Sequence, residues 1–575
     1  MKDNKEWVLS AEGKAELFLK TLTAKYKLPT VEENSFSNSF SEAETKLADF
    51  WVVRTQHAEQ ELKKLKENKA TGPDLLSVKV LKWCASTLSL PVAKLARAML
   101  SAGAWPESWR VHWVMPLYKK KSVYDPANYR GVHLSAQLSK VLERLLGRHF
   151  LPYLEATDAY GPNQFAYRKK KSCKDALALN TLQWLWWMDS GKKVGLYCAD
   201  VSAAFDRVSS ERLLLKLKKR GVGDRVLKLV GSWLLERRAV VVVDGTCSKE
   251  AVLNNMVYQG TVWGPPLWNA FFCDSRTAVN QCGFTDTYFA DDLTCARVFD
   301  GKLPTAEVEE EVSECQANLH EWGKANQVLF DAAKETKHVL HKRTPAGEDF
   351  HGLGVHWDTK LRMDAHCHEV GTRASWKLRT LLKTLRYYDL TDVFAQYKAQ
   401  VLPTVEFSTP AVYHCTAGVL EELDKVQRRF LHAVGVSPEQ ALLQYNLAPL
   451  QTRRDIAMLG LLHRTALRQG PPQFEEWFFA TAQKEPAYAT RRQKRLHTKQ
   501  LYDWLGDRDT ELLRRTVLGQ VRVYNELPQE AVDLKAVKDF QTWLQNRVKE
   551  AAKKKEDNWE NLFNLRKKSW KQRQA

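Results

Sequence analysis

Two adjacent carboxylates, Asp291 and Asp292, stand between two short runs of strand-forming residues, 287–289 and 293–299. This pattern predicts a β-hairpin with both acids at its turn. Carboxylates that are forced together raise each other's pKa unless a cation neutralises them, and Mg²⁺ prefers hard oxygen ligands of this kind. The hairpin is therefore a candidate metal site. An Asp-Asp pair in a turn is more often only solvated, so the interpretation depends on what accompanies it.

The composition favours an intracellular protein with a polyanionic partner. The 575 residues are 44% hydrophobic and carry a formal net charge of +19, which allows several domains and favours binding to nucleic acid. A basic protein without such a partner is the alternative. No two of the ten cysteines have C-x₂-C spacing, which argues against a zinc finger and favours reduced thiols. The sequence has no run of 18 apolar residues, and its first residues lead into no apolar segment, so neither a membrane span nor a signal peptide is expected.

A basic loop joins two extended segments, 111–118 and 128–134. The loop begins with Lys119 and Lys120, and the second segment contains Arg130. Because Lys and Arg bind phosphate oxygens by point-charge and forked contacts, this arrangement is a candidate clamp for a triphosphate. The alternative is a solvated basic loop.

A second basic segment, 161–172, interleaves aromatic and basic residues and is a candidate platform for a nucleic-acid template. Beyond about residue 370 the pattern becomes helical, and basic residues lie outside the apolar face of 420–430 and within 448–455. The basic residues that we predict to contact nucleic acid are Arg168, Lys169, Lys170, Lys171, Lys425, Arg428, Arg429, Arg453 and Arg454.

A third carboxylate, Asp200, ends the apolar run 194–200, which is typical of a strand buried on both faces. An Asp at the point where such a strand leaves its sheet is well placed to hold a metal ion, although a helix-capping Asp is the alternative. Further along the chain, Gln259 and Gly260 begin a segment whose glycines would let the backbone approach a nucleotide closely.

Taken in order, these segments resemble the reverse transcriptases of non-LTR retrotransposons, which are LINE-like and here nearest the jockey style. Each segment alone is a weak signal, but the order and spacing together are specific and cover roughly residues 55–460. The segments that carry the resemblance are NKATGPD at 68–74, NYRGVHL at 128–134, QFAYRKKKS at 164–172, DVSAAFDRV at 200–208, QGTVWGPPL at 259–267, FADD at 289–292 and FDAAKET at 330–336.

The resemblance implies an α+β fold of the right-hand polymerase type. Fingers and a palm with an antiparallel sheet would occupy residues 56–360, after an N-terminal helical extension at 1–55. A helical thumb at 361–470 and a basic helical region at 471–575 would follow. Only about 55 residues precede the fingers, too few for the endonuclease of full-length LINE-like polyproteins, so we expect a fragment or a shortened element.

The function that the resemblance implies is RNA-directed DNA polymerisation. The enzyme would extend the 3′-hydroxyl of a DNA primer or target DNA with dNTPs on an RNA template, by two-metal phosphoryl transfer with two Mg²⁺ ions, or with Mn²⁺. We expect an intracellular, nuclear protein.

The resemblance also implies roles for individual residues. Asp200, Asp291 and Asp292 would be the metal ligands, and Lys334 would assist proton transfer to pyrophosphate, with Lys337 as a close competitor for that role. Phe205 would block a ribose 2′-hydroxyl, or would be an ordinary core residue. The remaining nucleotide-binding residues would be Lys119, Lys120, Arg130, Val201, Gln259 and Gly260.

Several alternatives stay open. A viral RNA-dependent RNA polymerase shares the metal-binding logic, but Phe205 argues against it because such an enzyme must admit a 2′-hydroxyl. A group II intron-type reverse transcriptase is a second alternative, and a domesticated, non-catalytic RNA-binding scaffold is a third. Gly131 stands where the family usually has Pro, Trp263 where it has Leu, and Pro266 follows Pro265. These departures affect the fit of the substrate pocket but remove no carboxylate.

Overall fold

The computed structural model describes residues 1–3, 6–30, 46–47, 51–481 and 497–564. The chain divides into two compact units, each built from three segments that alternate along the sequence. Unit 1 comprises Met1–Tyr167, Ala199–Cys295 and Ser313–Glu335, and unit 2 comprises Arg168–Cys198, Ala296–Val312 and Thr336–Ala575.

The secondary structure is mixed. The strands are β1 (Lys2–Asp3), β2 (Glu6–Trp7), β3 (Val111–Tyr118), β4 (Tyr129–Leu134), β5 (Lys193–Asp200), β6 (Arg237–Val243), β7 (Thr246–Leu253), β8 (Thr285–Phe289), β9 (Asp292–Phe299), β10 (Thr336–Leu340), β11 (Phe350–Gly352) and β12 (Val355–Trp357). The helices are α1 (Ala11–Lys25), α2 (Thr55–Lys63), α3 (Val78–Trp83), α4 (Ala85–Ala102), α5 (Gln137–Ala156), α6 (Cys173–Asp189), α7 (Ser210–Lys219), α8 (Asp224–Leu234), α9 (Gly264–Phe272), α10 (Ser275–Gln281), α11 (Thr305–Asn326), α12 (Asp364–Leu382), α13 (Leu390–Gln396), α14 (Leu402–Glu406), α15 (Thr409–Val412), α16 (Ala417–Val434), α17 (Pro438–Tyr445), α18 (Leu450–Ala466), α19 (Glu511–Arg514), α20 (Val517–Asn525), α21 (Gln529–Val532) and α22 (Val537–Lys553).

One four-stranded sheet, in the order β4-β3-β6-β7, lies in unit 1. Strands β3 and β4 pair antiparallel from Trp113–Leu134 to Tyr118–Tyr129, which confirms the predicted strands on either side of the basic loop. Strands β6 and β7 form an antiparallel hairpin. Strand β3 also pairs with β6 in parallel, an arrangement that the order of hairpins in the sequence did not predict. Helix α1 packs on β6 and β7 and so belongs to the same unit.

A second four-stranded sheet has the order β10-β5-β9-β8, and β10 runs antiparallel to β5. Strands β5 and β9 each pass from one unit into the other along the chain. Strand β5 is buried over most of its length, as the apolar run predicted. Strands β8 and β9 are joined by only two residues, so the predicted hairpin is confirmed, with Asp291 in its turn and Asp292 at the start of β9.

Tryptophans form much of the core of unit 1. The indole of Trp263 packs against Trp105 and Phe150, each with ring centroids 5.1 Å away, and against Trp233 at 5.5 Å. Because aromatic rings bury large areas and pack edge to face, this cluster fixes the position of the segment that contains Trp263.

Unit 2 is mostly helical beyond β12. Its core joins β5 and β10 to helices α6, α12 and α16 through buried aliphatic and aromatic side chains. Helices α12 and α16 approach closely at Gly371, where a Cβ atom would lie 2.7 Å from the Glu422 carbonyl oxygen. None of the helices in the described residues combines the length and the apolarity needed to cross a membrane.

Candidate active site

The three predicted carboxylates converge in unit 1. Asp200 ends β5, Asp291 lies in the β8–β9 turn and Asp292 begins β9. The side chains of Asp200 and Asp292 are close enough for a hydrogen bond between them, and the charge of Asp291 acts on Asp292. Sheet topology thus joins residues that are about 90 positions apart in the sequence.

The turn that bears Asp291 is held by two side chains from elsewhere in unit 1. Ala290 has a φ of +62°, which is unusual for a residue other than glycine. Its backbone N–H donates to Gln164 Oε1 at 2.9 Å, and its carbonyl oxygen accepts from Gln164 Nε2 at 3.2 Å and Trp268 Nε1 at 3.1 Å. Gln164 and Trp268 are almost completely buried, so they fix the turn rigidly.

Lys334 provides the positive charge beside Asp200. Its ammonium donates to Asp200 Oδ2, and to Asp331 Oδ2 at 3.1 Å. The segment that carries Lys334 is anchored there because the Asp331 N–H donates to the Asp200 carbonyl oxygen at 2.9 Å. Partial burial disfavours the charged form, but the two hydrogen bonds outweigh it and raise the pKa of Lys334. The amine is therefore protonated at neutral pH.

The carboxylates of the turn are electrostatically strained. Burial, followed by the charge of Asp200, raises the pKa of Asp291. Burial, and then the charges of Asp291 and Asp200, raise the pKa of Asp292 to about 7. The single positive charge of Lys334 does not neutralise the three nearby carboxylates. A bound cation would therefore stabilise the site.

The donor chemistry fits a hard divalent cation. Three carboxylates share the site, and the Lys334 ammonium already binds Asp200. Within the described part of the chain, no three His, Cys, Asp or Glu side chains are arranged closely enough to hold a metal ion as they stand. Asp200 would have to exchange its contact with Lys334 for the metal.

The basic hairpin faces these carboxylates. Lys119 follows β3 and Arg130 lies on β4, and both side chains are exposed. Burial, and then the charges of Lys334 and Arg130, lower the pKa of Lys119. The charge of Arg130 also acts on Asp291. Lys120 is exposed next to Lys119, and its charge acts on that neighbour.

Phe205 lies in a short 3₁₀ turn that follows β5, five residues after Asp200. Its ring stacks on Trp268 with centroids 5.9 Å apart, and Tyr167 meets its edge at 6.2 Å. The Trp268 indole in turn donates to the carbonyl oxygen of Ala290, in the turn that bears Asp291. The aromatic ring is thus part of the site and half-buried, rather than enclosed in a core.

The Gln259 segment is pinned to β4. The His133 N–H donates to the Gln259 carbonyl oxygen at 3.0 Å. Gly260 has a φ of +98°, and a Cβ atom there would lie 2.8 Å from the His133 carbonyl oxygen, so only glycine fits. The amide of Gln259 reaches Asp206 Oδ1 at 3.4 Å. Val201 is buried and bridges to Phe330, so its backbone borders the site.

Comparison with known proteins gives a consistent result. Residues 118–355 match the family described as reverse transcriptase (RNA-dependent DNA polymerase). The chain is 24% identical over 462 residues to the RNA-directed DNA polymerase from mobile element jockey of Drosophila funebris, covering 75% of this chain and 50% of that protein. It is also 24% identical over 430 residues to the probable RNA-directed DNA polymerase from transposon X-element of Drosophila melanogaster, covering 70% of this chain and 47% of that protein.

Residues 118–355 are thus similar to reverse transcriptases. The resemblance to non-LTR retrotransposon enzymes that the motifs indicated is confirmed by these relatives. The chain spans about half the length of the curated relatives that it matches.

The three departures of this chain from the reverse transcriptase pattern have a physical explanation. A Cβ atom at Gly131 would lie 2.8 Å from the Tyr26 hydroxyl, so the small residue makes room for the end of helix α1. Trp263 fits because Gly147 leaves space beside its indole, where a Cβ atom would lie 3.1 Å from Nε1. Pro266 lies in the first turn of α9, which tolerates proline.

The polar contacts of Trp263 come from one buried acid. Glu143 Oε2 accepts from the backbone N–H groups of Val262, at 2.6 Å, and Trp263, at 3.1 Å. The indole Nε1 donates to the Glu143 carbonyl oxygen at 2.7 Å. Burial raises the pKa of Glu143, although these hydrogen bonds and the charge of Arg237 act in the opposite direction.

The predicted nucleic-acid contacts of the helical region mostly meet acids. Arg453 pairs with Glu406, Arg428 with Glu421, and Lys425 Nζ lies 2.6 Å from Glu422 Oε1. Arg454 is 4% exposed and makes two hydrogen bonds of 2.9 Å to Asp424, so its guanidinium is inaccessible to nucleic acid in this conformation. We therefore correct the prediction for Arg454, because folding uses its charge internally. Arg429 is exposed.

The basic run after Tyr167 begins unit 2. Lys169 and Lys170 are exposed, and Lys170 Nζ reaches the Arg468 carbonyl oxygen at 3.4 Å. Arg168 and Lys171 are half-buried. Phe165, one of the aromatic residues of the predicted template platform, cannot stack on a base because its side chain is buried.

The sequence analysis did not identify the residues that hold the backbone of the site in place through long-range hydrogen bonds. Gln164, Trp268 and Glu143 act across more than 20 positions of sequence, up to 126 for Gln164 and Ala290. Asp206 was also missed as an ionisable group. Burial raises its pKa to about 7, although the charges of Lys25 and Arg130 oppose the shift. The only signal for Asp206 was its position directly after Phe205.

Proposed function

We propose that the chain is an RNA-directed DNA polymerase of a non-LTR retrotransposon, which adds dNTPs to a DNA 3′-hydroxyl on an RNA template. The observation that carries this proposal is the meeting of Asp200, Asp291 and Asp292 beside a basic hairpin and an aromatic ring. The names of the relatives support the same chemistry. We keep a nuclear location, and the division into fingers, palm, thumb and a basic C-terminal region, as parts of the proposal.

In this mechanism Asp200, Asp291 and Asp292 would hold divalent metal ions. Such ions, when bound, activate the primer hydroxyl and stabilise the oxygens of the leaving pyrophosphate. Gln164 and Trp268 keep the Asp291 turn in one conformation, so little reorganisation is needed during the reaction. The raised pKa values of the turn mean that the carboxylates bind cations best above about pH 7.

The other residues bind and orient the nucleotide. Lys119, Lys120 and Arg130 would contact the triphosphate, and the backbone at Gln259 and Gly260 would line the base pair. Lys334 would leave Asp200 when the metal binds and turn to the pyrophosphate, to which it could donate a proton as a general acid. Phe205 would exclude the 2′-hydroxyl of a ribonucleotide.

Primer extension tests the proposal. Purified protein is incubated with an RNA template, an annealed DNA primer, four dNTPs and Mg²⁺, with EDTA as one control and Asp291→Asn as another. We expect the wild-type protein to extend the primer with Mg²⁺, and we expect no extension in EDTA or by Asp291→Asn. A matched control is Asp244→Asn, which should extend the primer as the wild type does. Asp244 also lies in a hairpin turn, between β6 and β7, but it is exposed and remote in sequence from Asp200 and Asp291. Tight RNA binding by the wild-type protein without any extension would favour the non-catalytic scaffold instead.

A further inference from the structure

Tyr167 has an unusual backbone and an unusual environment. Its φ is +58°, in the left-handed region that bulky side chains rarely adopt. Its side chain is 59% exposed, whereas most aromatic residues of unit 1 are buried. Strained conformations of this kind persist where the surrounding structure imposes them, and they cluster at functional sites.

The strain at Tyr167 is imposed by the residues before it. The Phe165 N–H donates to the Tyr288 carbonyl oxygen at 2.9 Å, and the Ala166 N–H donates to Gln164 Oε1 at 3.0 Å. The Ala166 carbonyl oxygen accepts from Asn269 Nδ2 at 3.0 Å. The backbone is thus fixed on both sides of Ala166, and Tyr167 is the first residue that leaves the buried segment.

The ring of Tyr167 packs against the ring of Phe205. It meets Phe205 at an interplanar angle of 80°, with centroids 6.2 Å apart, while Trp268 covers Phe205 from another direction. Burial, and then the charge of Asp291, raise the pKa of Tyr167, and the charge of Arg130 opposes them. The ring therefore lies within reach of the charges of the catalytic turn and of the basic hairpin.

We propose that Tyr167 is a specificity-determining residue of the nucleotide pocket, whose ring holds Phe205 in the position that excludes a ribose 2′-hydroxyl. This inference rests on the polymerase function proposed above. A steric barrier discriminates only if it cannot move aside. Trp268 supports Phe205 on one face, and Tyr167 supplies the contact from the other direction. The aromatic ring performs this role, and the phenol hydroxyl does not.

Selectivity measurements test the inference. The kcat/KM values for dGTP and GTP are measured opposite a template cytosine for the wild type and for Tyr167→Phe, Tyr167→Ala and Tyr167→Gly. We expect Tyr167→Phe to keep the ratio within about twofold, since the ring is retained. We expect Tyr167→Ala and Tyr167→Gly to lower the preference for dGTP by roughly 2- to 10-fold, the worth of one edge-to-face contact.

The role of the strained backbone is tested by the same variants. Both small residues remove the ring, but glycine adopts positive φ without strain and alanine does not. Tyr167→Gly should therefore have the higher midpoint of thermal unfolding of the two, with the same loss of selectivity. If Tyr167 were only a packing residue, kcat/KM for both nucleotides would fall together at a constant ratio, and the inference would be wrong.

A double-mutant cycle tests whether Tyr167 acts through Phe205. In a Phe205→Ala background, Tyr167→Ala should change the ratio no further, because the contact is already absent. An equal change in both backgrounds would overturn the inference. The activity of the wild-type protein distinguishes a failure of the proposed polymerase function from a failure of the proposed role of Tyr167. No extension by the wild type would overturn the polymerase function, whereas wild-type extension with an unchanged ratio in all variants overturns the role of Tyr167 alone.

Discussion

The carboxylate site of unit 1 and the charged helices of unit 2 treat charge in opposite ways. Around Asp291, folding brings acids together and neutralises them incompletely, so that the pKa of Asp292 rises to about 7. Around α16 and α18, most of the predicted basic side chains meet an acid, as Arg454 meets Asp424 and Arg453 meets Glu406. The first arrangement weakens the fold and prepares it for a cation, and the second stabilises the fold or leaves it unchanged.

Because of this difference, removing a charge should change activity and stability differently in the two regions. Removing a charge from the carboxylate site should abolish activity and raise stability in the absence of metal. Removing a charge from the buried pair of the helical region should lower stability and change activity only through the loss of folded protein. The opposite signs make the comparison testable without a bound ligand.

The largest effect is expected for Asp291→Asn. Loss of a metal ligand should lower kcat for primer extension by roughly a thousandfold, the equivalent of about 4 kcal/mol of transition-state stabilisation. In EDTA at pH 8 the variant should unfold at a higher temperature than the wild type, because repulsion from Asp200 and Asp292 is relieved. Differential scanning fluorimetry would measure the unfolding temperature of the variant, and a filter-binding assay would measure its affinity for RNA. A fall in both stability and RNA affinity would assign Asp291 a structural role.

The second effect is expected for Arg454→Ala. It leaves Asp424 without its bidentate partner, so the free energy of unfolding should fall by about 3 kcal/mol. The matched control is Arg429→Ala, on the exposed surface of α16, which should change stability by less than about 0.5 kcal/mol. That control should instead weaken RNA binding and reduce its salt dependence by about one phosphate contact. Partial recovery of stability in the double variant Arg454→Ala, Asp424→Ala would confirm the pair.

The sequence alone predicted the structural elements that depend on a local pattern of residues. The hairpin with Asp291 at its turn, the buried strand that ends at Asp200, and the strands on either side of the basic loop were all predicted correctly. Alternation of apolar residues and turn residues encodes such elements within about ten positions. The acids could therefore be found one by one, although their meeting could be inferred only from the family resemblance.

Long-range partners were beyond the reach of local pattern. Nothing near Gln164 indicates that its amide binds Ala290, and nothing near Gly131 indicates that Tyr26 fills the space above it. The parallel pairing of β3 with β6 was missed for the same reason. The wrong prediction for Arg454 has the same cause. The sequence around Arg453 and Arg454 looks the same whether their guanidinium groups bind the phosphates of a nucleic acid or carboxylates of the same chain.

The third effect, on Phe205, tests whether the aromatic ring belongs to the site. Phe205→Ala should let ribonucleotides in, lowering the ratio of kcat/KM for dGTP over GTP by roughly 10- to 100-fold. The reason is the removal of a ring that Trp268 and Tyr167 hold in place, five residues after Asp200. A core residue would behave differently, since the cavity would destabilise the fold by about 3–5 kcal/mol and lower both kcat/KM values together. Parallel measurement of the ratio and of thermal stability decides between them.

The smallest effect concerns Asp206, a half-buried acid whose charge is acted on by Lys25, Arg130 and Arg207. Its folded-state pKa of about 7 is raised above the unfolded value, near 3.8, chiefly by burial. The stability contributed by its protonated form is fully present below the unfolded pKa and is lost as pH rises through about 7. Asp206→Asn cannot ionise, so its stability relative to the wild type should increase between pH 5 and pH 8, by about 2 kcal/mol or a few degrees in the unfolding midpoint.

Asp331 is the matched control for Asp206, because its pKa moves in the opposite direction. Burial alone would raise its pKa, but the hydrogen bond and ion pair with Lys334, together with a hydrogen bond from the Ala333 N–H, outweigh burial and lower the pKa. The stability that it contributes is therefore present above the unfolded pKa and is lost as pH falls through the folded one. Asp331→Asn should be less stable than the wild type at pH 8, and this deficit should narrow at pH 3, whereas Asp206→Asn should show its advantage only towards pH 8. If the two variants followed the same pH profile, the basic residues around Asp206 would neutralise it fully, and Asp206 would belong with the balanced charges of the helical region.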